Sequence, residues 1–193
     1  AVALNPELTS AQKLLGVVCD RMDDRDAAQH HYRRALESEP NDLSTLNNLG
    51  VSLLLSDDYE LAAQALGKAV ALGSTDPATL TNLGLSLAFL GRNEAALDAF
   101  RRAGSEGDAY NNLGYALTLQ GENDAARAYY EKALLANDTD EDRVIRNLLR
   151  LETAVETAAW TAPRAHPASE GNDEPGLDLH TTNADPVDES PEN

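Results

Sequence analysis

The chain has 193 residues and carries 15 Lys and Arg against 33 Asp and Glu, a formal net charge of −18. That charge repels a polyphosphate backbone and argues against nucleic acid as a partner. No apolar run approaches the roughly 18 residues needed to cross a bilayer. One cysteine, Cys19, cannot form an internal disulfide, and four histidines leave little material for a metal cluster or a His-based triad.

Along the chain, the pair Leu15-Gly16 returns as Leu49-Gly50, Leu83-Gly84 and Leu113-Gly114, at spacings of 34, 34 and 30. Counting from each leucine, alanine stands at +13 (Ala28, Ala62, Ala96, Ala126) and again at +20 (Ala35, Ala69, Ala103, Ala133). A large residue stands between them: Tyr32, Leu66, Phe100 and Tyr130. Such coincident columns do not arise by chance from residue types that each fill roughly a tenth of a typical chain.

Each unit reads as a helix pair. Around Leu46, Leu49 and Leu53 the apolar residues recur at helical spacing. A mid-helix glycine costs about 1 kcal/mol relative to alanine, so four of them imply close approach of the two axes, glycine on the first helix and alanine on the second. Breaks follow at Asp23-Asp24, Asp57-Asp58, Gly91-Arg92 and Gly121-Glu122. The second helices open on Asp26, Glu60, Glu94 and Asp124, acids that suit the positive end of a helix dipole. Asn41-Asp42 and Thr75-Asp76, with Pro77 behind, supply capping chemistry for the next first helix.

These columns resemble the tetratricopeptide repeat (TPR) over about residues 1–136. The resemblance implies an all-α right-handed superhelical solenoid of antiparallel helix pairs, used as a protein-binding scaffold. Pro40 matches the family's end-of-repeat proline, whereas Ser74 and Asp138 replace it, and the third unit is four residues short. The expected organisation is the end of a preceding repeat at 1–8, then repeats at 9–42, 43–76, 77–106 (shortened) and 107–139. A capping helix over 140–160 and a disordered acidic tail over 161–193 follow. Ala1 to Pro6 fits a preceding repeat's last turn, so the chain is expected to begin inside a repeat. In the capping helix, Val144, Ile145, Leu148, Leu149 and Leu151 would cover the open end. The tail holds eight acidic residues, one basic residue and five prolines, and its large apolar residues are Leu177, Leu179 and Val187. That composition buries too little surface to offset backbone ordering.

In such a superhelix the first helices line the concave wall. The residue before each Leu-Gly pair reads Leu14, Asn48, Asn82, Asn112; the +2 residue reads Val17, Val51, Leu85, Tyr115; the +6 residue reads Arg21, Leu55, Phe89, Leu119. Asn48, Asn82 and Asn112 thus form a ladder beside an apolar strip of Val51, Leu85, Tyr115, Leu55, Phe89 and Leu119. An amide donates and accepts at once, so the ladder could clasp the backbone of an extended peptide while the strip takes alternate side chains. The role comes from the resemblance to peptide-binding TPR grooves. The competing reading is that the asparagines bond to neighbouring turns. Asn47 and Asn111, one residue earlier, share this face. Lys13 and Arg21, both in the first unit, are the groove's only basic residues, which disfavours a receptor for a C-terminal carboxylate.

No cofactor or metal is expected. His30, His31 and Asp26 fall on the exposed face of a second helix, Cys19 reads as an inert core thiol, and His166 and His180 leave the groove without a general base. Trp160 reads as a packing residue and Leu177-Asp178-Leu179 as solvated tail. The stretch Ala103 to Ala116, with its clipped linker, resembles TPR lipoproteins of bacterial tight-adherence (Tad/Flp) pilus assembly. That resemblance implies a protein partner such as a secretin component and a place at the outer membrane or periplasm if the chain is lipidated upstream. Two alternatives stand beside it: a cytosolic adaptor or regulator, and the recognition module of a larger transferase.

Overall fold

The computed structural model describes the backbone of residues 6–161 and the side chains of residues 7–153. The expectations for residues 1–5 and the tail, and for the side chain of Trp160, lie outside those described. The described residues fold into helices: α1 (Pro6–Arg21), α2 (Arg25–Ser38), α3 (Leu43–Leu54), α4 (Tyr59–Ala71), α5 (Pro77–Phe89), α6 (Asn93–Ala103), α7 (Glu106–Leu119), α8 (Asn123–Ala136) and α9 (Glu141–Thr161). Each first helix packs on its own second helix, each second helix on the next first helix, and α1, α3, α5, α7 and α9 lie side by side. This is the all-α solenoid that the repeat demands. Pro6 opens α1, a first-turn position that suits its fixed φ and missing N–H.

The glycine column does something more specific than bring two axes together. A Cβ built on Gly16, Gly50 or Gly84 would lie 2.4 Å from the side chain of Tyr32, Leu66 or Phe100, and one on Gly114 would lie 2.8 Å from Tyr130. The large residue of the second helix therefore lies across the glycine of the first. The alanines at +13 are all fully buried beside it. The turn between the paired helices also has one geometry: Asp23, Asp57, Gly91 and Gly121, all at +8, have left-handed backbone. Glycine adopts it freely, and a short aspartate tolerates it.

Caps appear at Asp42 and Asp76, where the sequence places them, and also at Asp140. The Asp42 carboxylate accepts from the Thr45 N–H at 3.0 Å, Asp76 from Thr79 at 2.9 Å, and Asp140 from Arg143 at 3.1 Å. Ser105 adds a cap on Asp108 of α7 at 3.0 Å. Burial alone would raise the Asp42 carboxyl, but hydrogen bonds from the Thr45 hydroxyl and N–H, together with Lys13, hold it below the usual range. At Asp76 the Thr79 N–H and hydroxyl do the same. Asp108 is depressed too, since donors Thr139 and Ser105 and the Arg143 charge outweigh its burial. Depressed carboxyls favour the folded chain above the unfolded aspartate value and lose that contribution as pH falls through their own lower values. Circular dichroism melts should therefore show a declining Tm as pH drops below about 4, and Asp42→Asn should flatten that decline.

The ends and the third unit depart from the regular pattern. Leu15 is 43% exposed, although Leu49, Leu83 and Leu113 in the same column are buried. That column faces the preceding second helix, and none precedes α1 among the described residues. For the same reason Cys19, read from the sequence as a core thiol, sits half-buried at the edge of the core around Tyr32, Leu53 and Leu66. At the other end α9 behaves as the first helix of a fifth unit. Val144 and Leu151 are buried and Leu148 half-buried, so these three do cover α8, but Ile145 and Leu149 face outward. Leu149 falls in the glycine column, where its bulk meets no second helix among the described residues. In the third unit only Gly104 and Ser105 separate α6 from α7, and α7 contacts α5 more extensively than α5 contacts α3.

Candidate functional site

The first helices carry the three groove columns, and the side chains in them differ in exposure and bonding. Asn48, Asn82 and Asn112 are half-buried, and their side-chain amides make no hydrogen bond among the described residues. Their neighbours one residue earlier differ. The Asn47 carbonyl oxygen accepts from the Thr79 hydroxyl of the next unit at 3.2 Å. Asn111 is 3% exposed and accepts from the Asn147 amide of α9 at 2.9 Å. So Asn111 is taken out of the groove, because a position two residues before leucine faces the seam with the following helix. Asn47 is partly spent in the same way. Asn47 and Asn111 thus bond between units, whereas Asn48, Asn82 and Asn112 stay open among the described residues.

The apolar strip is graded. Leu55 and Leu119 are each 57% exposed, Tyr115 is exposed, and Val51 and Leu85 are half-buried, Leu85 lying against the core. Phe89 is stacked on Tyr59 with ring centroids 4.7 Å apart, so one of its faces is already occupied. Leu14 continues the −1 column into α1 as an exposed side chain.

Two clefts open along these columns. Asn48, Val51 and Leu55 share one of about 400 Å³ with Val17, Asp20, Arg21, Arg25 and Tyr32. Behind it, Asp20 accepts from the Tyr32 hydroxyl at 2.9 Å and the Ser52 hydroxyl at 2.8 Å, and it pairs with Arg25 at 3.2 Å. Burial, then the Asp20 hydrogen bond, pushes the Tyr32 hydroxyl far above its ordinary value, so it stays a donor. Asn112 borders a smaller, polar cleft of about 180 Å³ with Thr81, Asp108 and Arg143, opened where the clipped linker brings Gly104 beside Asp108. Here Asp108 accepts from Thr139 at 2.8 Å and pairs closely with Arg143. The sequence reading missed this polar corner, because no periodic column contains it.

Elsewhere the chemistry is sparse. His31 Nδ1 lies 2.7 Å from Gln12 Oε1, and His30 and Asp26 are exposed. Among the described residues no group of three or more His, Cys, Asp or Glu is placed to hold a metal ion, and no helix is long and apolar enough to cross a membrane.

Known proteins place this geometry. Tetratricopeptide-repeat sequence models match residues 20–77, 77–102 and 107–140. No curated protein matches the chain in sequence. Among solved structures, a MamA protein is 25% identical, with 84% of this chain and 100% of that one covered at a TM-score of 0.57. The Pseudomonas aeruginosa pilF structure is 23% identical over 80% of this chain and 72% of that one, TM-score 0.54. YrrB, a TPR protein described as having an unusual peptide-binding site, is 19% identical over 75% and 76%, TM-score 0.53. The last two show the fold alone. A glycine column roofed by the large residue of its partner helix, repeated four times and matched over most of residues 20–140, makes this chain a tetratricopeptide-repeat protein.

Proposed function

We propose that this chain is a protein-interaction scaffold that clasps an extended peptide segment of its partner along α3, α5 and α7. The observation that carries the reading is the set of three half-buried amides, Asn48, Asn82 and Asn112, left without partners among the described residues beside an exposed apolar strip. A half-buried amide without a partner forgoes hydrogen-bond energy that a peptide backbone restores. The assembly it serves is read from the resemblance of residues 103–116 to Tad/Flp pilus TPR lipoproteins. On that reading the scaffold assists a pilus or secretion machine at the outer membrane, with a secretin component as partner.

The test is a crosslinking pull-down from cell envelope and cytosol with wild type and with Asn48→Ala/Asn82→Ala/Asn112→Ala. We expect a pilus or secretin component to be captured by the wild type and lost in the triple variant. The triple variant should keep its Tm, since no intramolecular bond is removed, whereas Asn47→Ala/Asn111→Ala should lose about 1 kcal/mol per inter-unit bond without losing the partner. Equal capture of soluble partners by wild type and triple variant would overturn both the ladder and the pilus assignment.

A further inference from the structure

The cleft between α1 and α3 differs from the rest of the groove in one respect that bears on what it recognises. Across the four repeats, Arg21 is the only charged side chain in the three groove columns. Among the described residues it forms no ion pair or hydrogen bond, although the chain carries a net −18. Its neighbours are already satisfied. Asp20 accepts from Tyr32 and Ser52 and pairs with Arg25, and Arg25 also reaches Asp23 at 2.8 Å. The polar groups left free at the cleft are therefore the Arg21 guanidinium and the Asn48 amide, above an apolar floor of Val17, Val51 and Leu55. A volume of about 400 Å³ sits at the low end for ligand sites, enough for a side chain or two.

We infer that this cleft is a side-chain subsite of the groove. It takes an aliphatic residue of an extended peptide, and an Asp or Glu beside that residue pairs with Arg21. The inference rests on the peptide-binding reading above and adds a sequence preference to it. One unpaired guanidinium, with Arg25 already engaged, matches a single carboxylate better than a phosphate dianion. Within the groove the local charge decides, because charges farther off than about 8 Å are screened at physiological salt. Beyond that one acid the partner should be neutral or basic, since the rest of the surface repels anions.

The test uses the full chain and synthetic hexapeptides of sequence Gly-Ala-Leu-Asp-Ala-Gly, capped at both ends, with Leu→Ala, Asp→Asn and Asp→Lys versions. Methyl NMR titration reads both affinity and place. Shifts should centre on the methyls of Val17, Val51 and Leu55. The Leu→Ala peptide should bind about tenfold or more weakly, from the methyl groups no longer buried. The Asp→Asn peptide should bind about threefold more weakly, a difference that vanishes near about 0.5 M salt. R21E should invert the order of the Asp and Lys peptides. If the peptides bind and the triple Asn→Ala variant weakens them, but R21E leaves their order unchanged, the subsite is wrong and the groove reading stands. If none binds at Val17, Val51 and Leu55 while the captured partner still depends on the asparagines, the subsite is likewise overturned. Loss of that dependence would sink the groove reading itself.

Discussion

Gly84→Ala should destabilise the chain by about 1–2 kcal/mol, even though alanine is the better helix former by about 1 kcal/mol. The new methyl would stand 2.4 Å from Phe100, whose ring is fully buried and has nowhere to turn. The control lies in the same fold. Gly67, inside α4, has nothing within 4 Å of a built Cβ, so Gly67→Ala should stabilise by roughly 0.5–1 kcal/mol through propensity alone. Thermal melts of the two variants should move in opposite directions, at roughly 2–4 °C per kcal/mol for a chain of this size. If both variants melt higher than wild type, the glycine column is not a packing requirement.

A second large effect is expected at Asp20→Ala, with a loss of about 2–5 kcal/mol. The substitution strands two buried hydroxyls, Tyr32 and Ser52, each worth about 1–3 kcal/mol when left without a partner. Asp20→Asn, which keeps an acceptor, should lose less. The informative variant is Asp20→Ala/Tyr32→Phe. It rebuilds in the first unit the pair that the third unit already uses, Ala88 with Phe100. Denaturant titration should show the double variant more stable than Asp20→Ala alone, a positive coupling of the kind expected between residues in contact. A double variant no better than the sum of its parts would mean that the Tyr32 hydroxyl is satisfied by something other than Asp20.

That pair also shows how far the sequence could be read. Residues twelve apart, at +5 and +17 from the leucine, are Asp20 and Tyr32, Leu54 and Leu66, Ala88 and Phe100, Thr118 and Tyr130. Where the large residue has a hydroxyl its counterpart is polar, and where it has none its counterpart is apolar. Thr118 and Tyr130 are 3.0 Å apart, oxygen to oxygen. The rule was present in the columns, yet it becomes visible only once the glycine is seen to seat the large residue against that turn. The ladder was legible in the same partial way. Sequence spacing put Asn47 and Asn48 on one face, and it could not say that the first would be engaged by Thr79 while the second stayed open.

The sequence alone determined the unit, its length, the helix pairs, the caps at Asp42 and Asp76, and the clipped linker after Ala103. Each of these depends on residues close together in the chain, where periodicity and turn chemistry act directly. The tertiary structure alone decided which asparagines are spent between units, which groove side chains remain uncovered, and that Phe89 stacks on Tyr59. It also decided that Ile145 and Leu149 face outward and that Arg21, above an apolar cleft, finds no ion pair among the described residues. Those outcomes depend on which helix comes to rest against which, and a column repeated identically in every unit carries no record of where the stack ends or of which neighbour each copy meets.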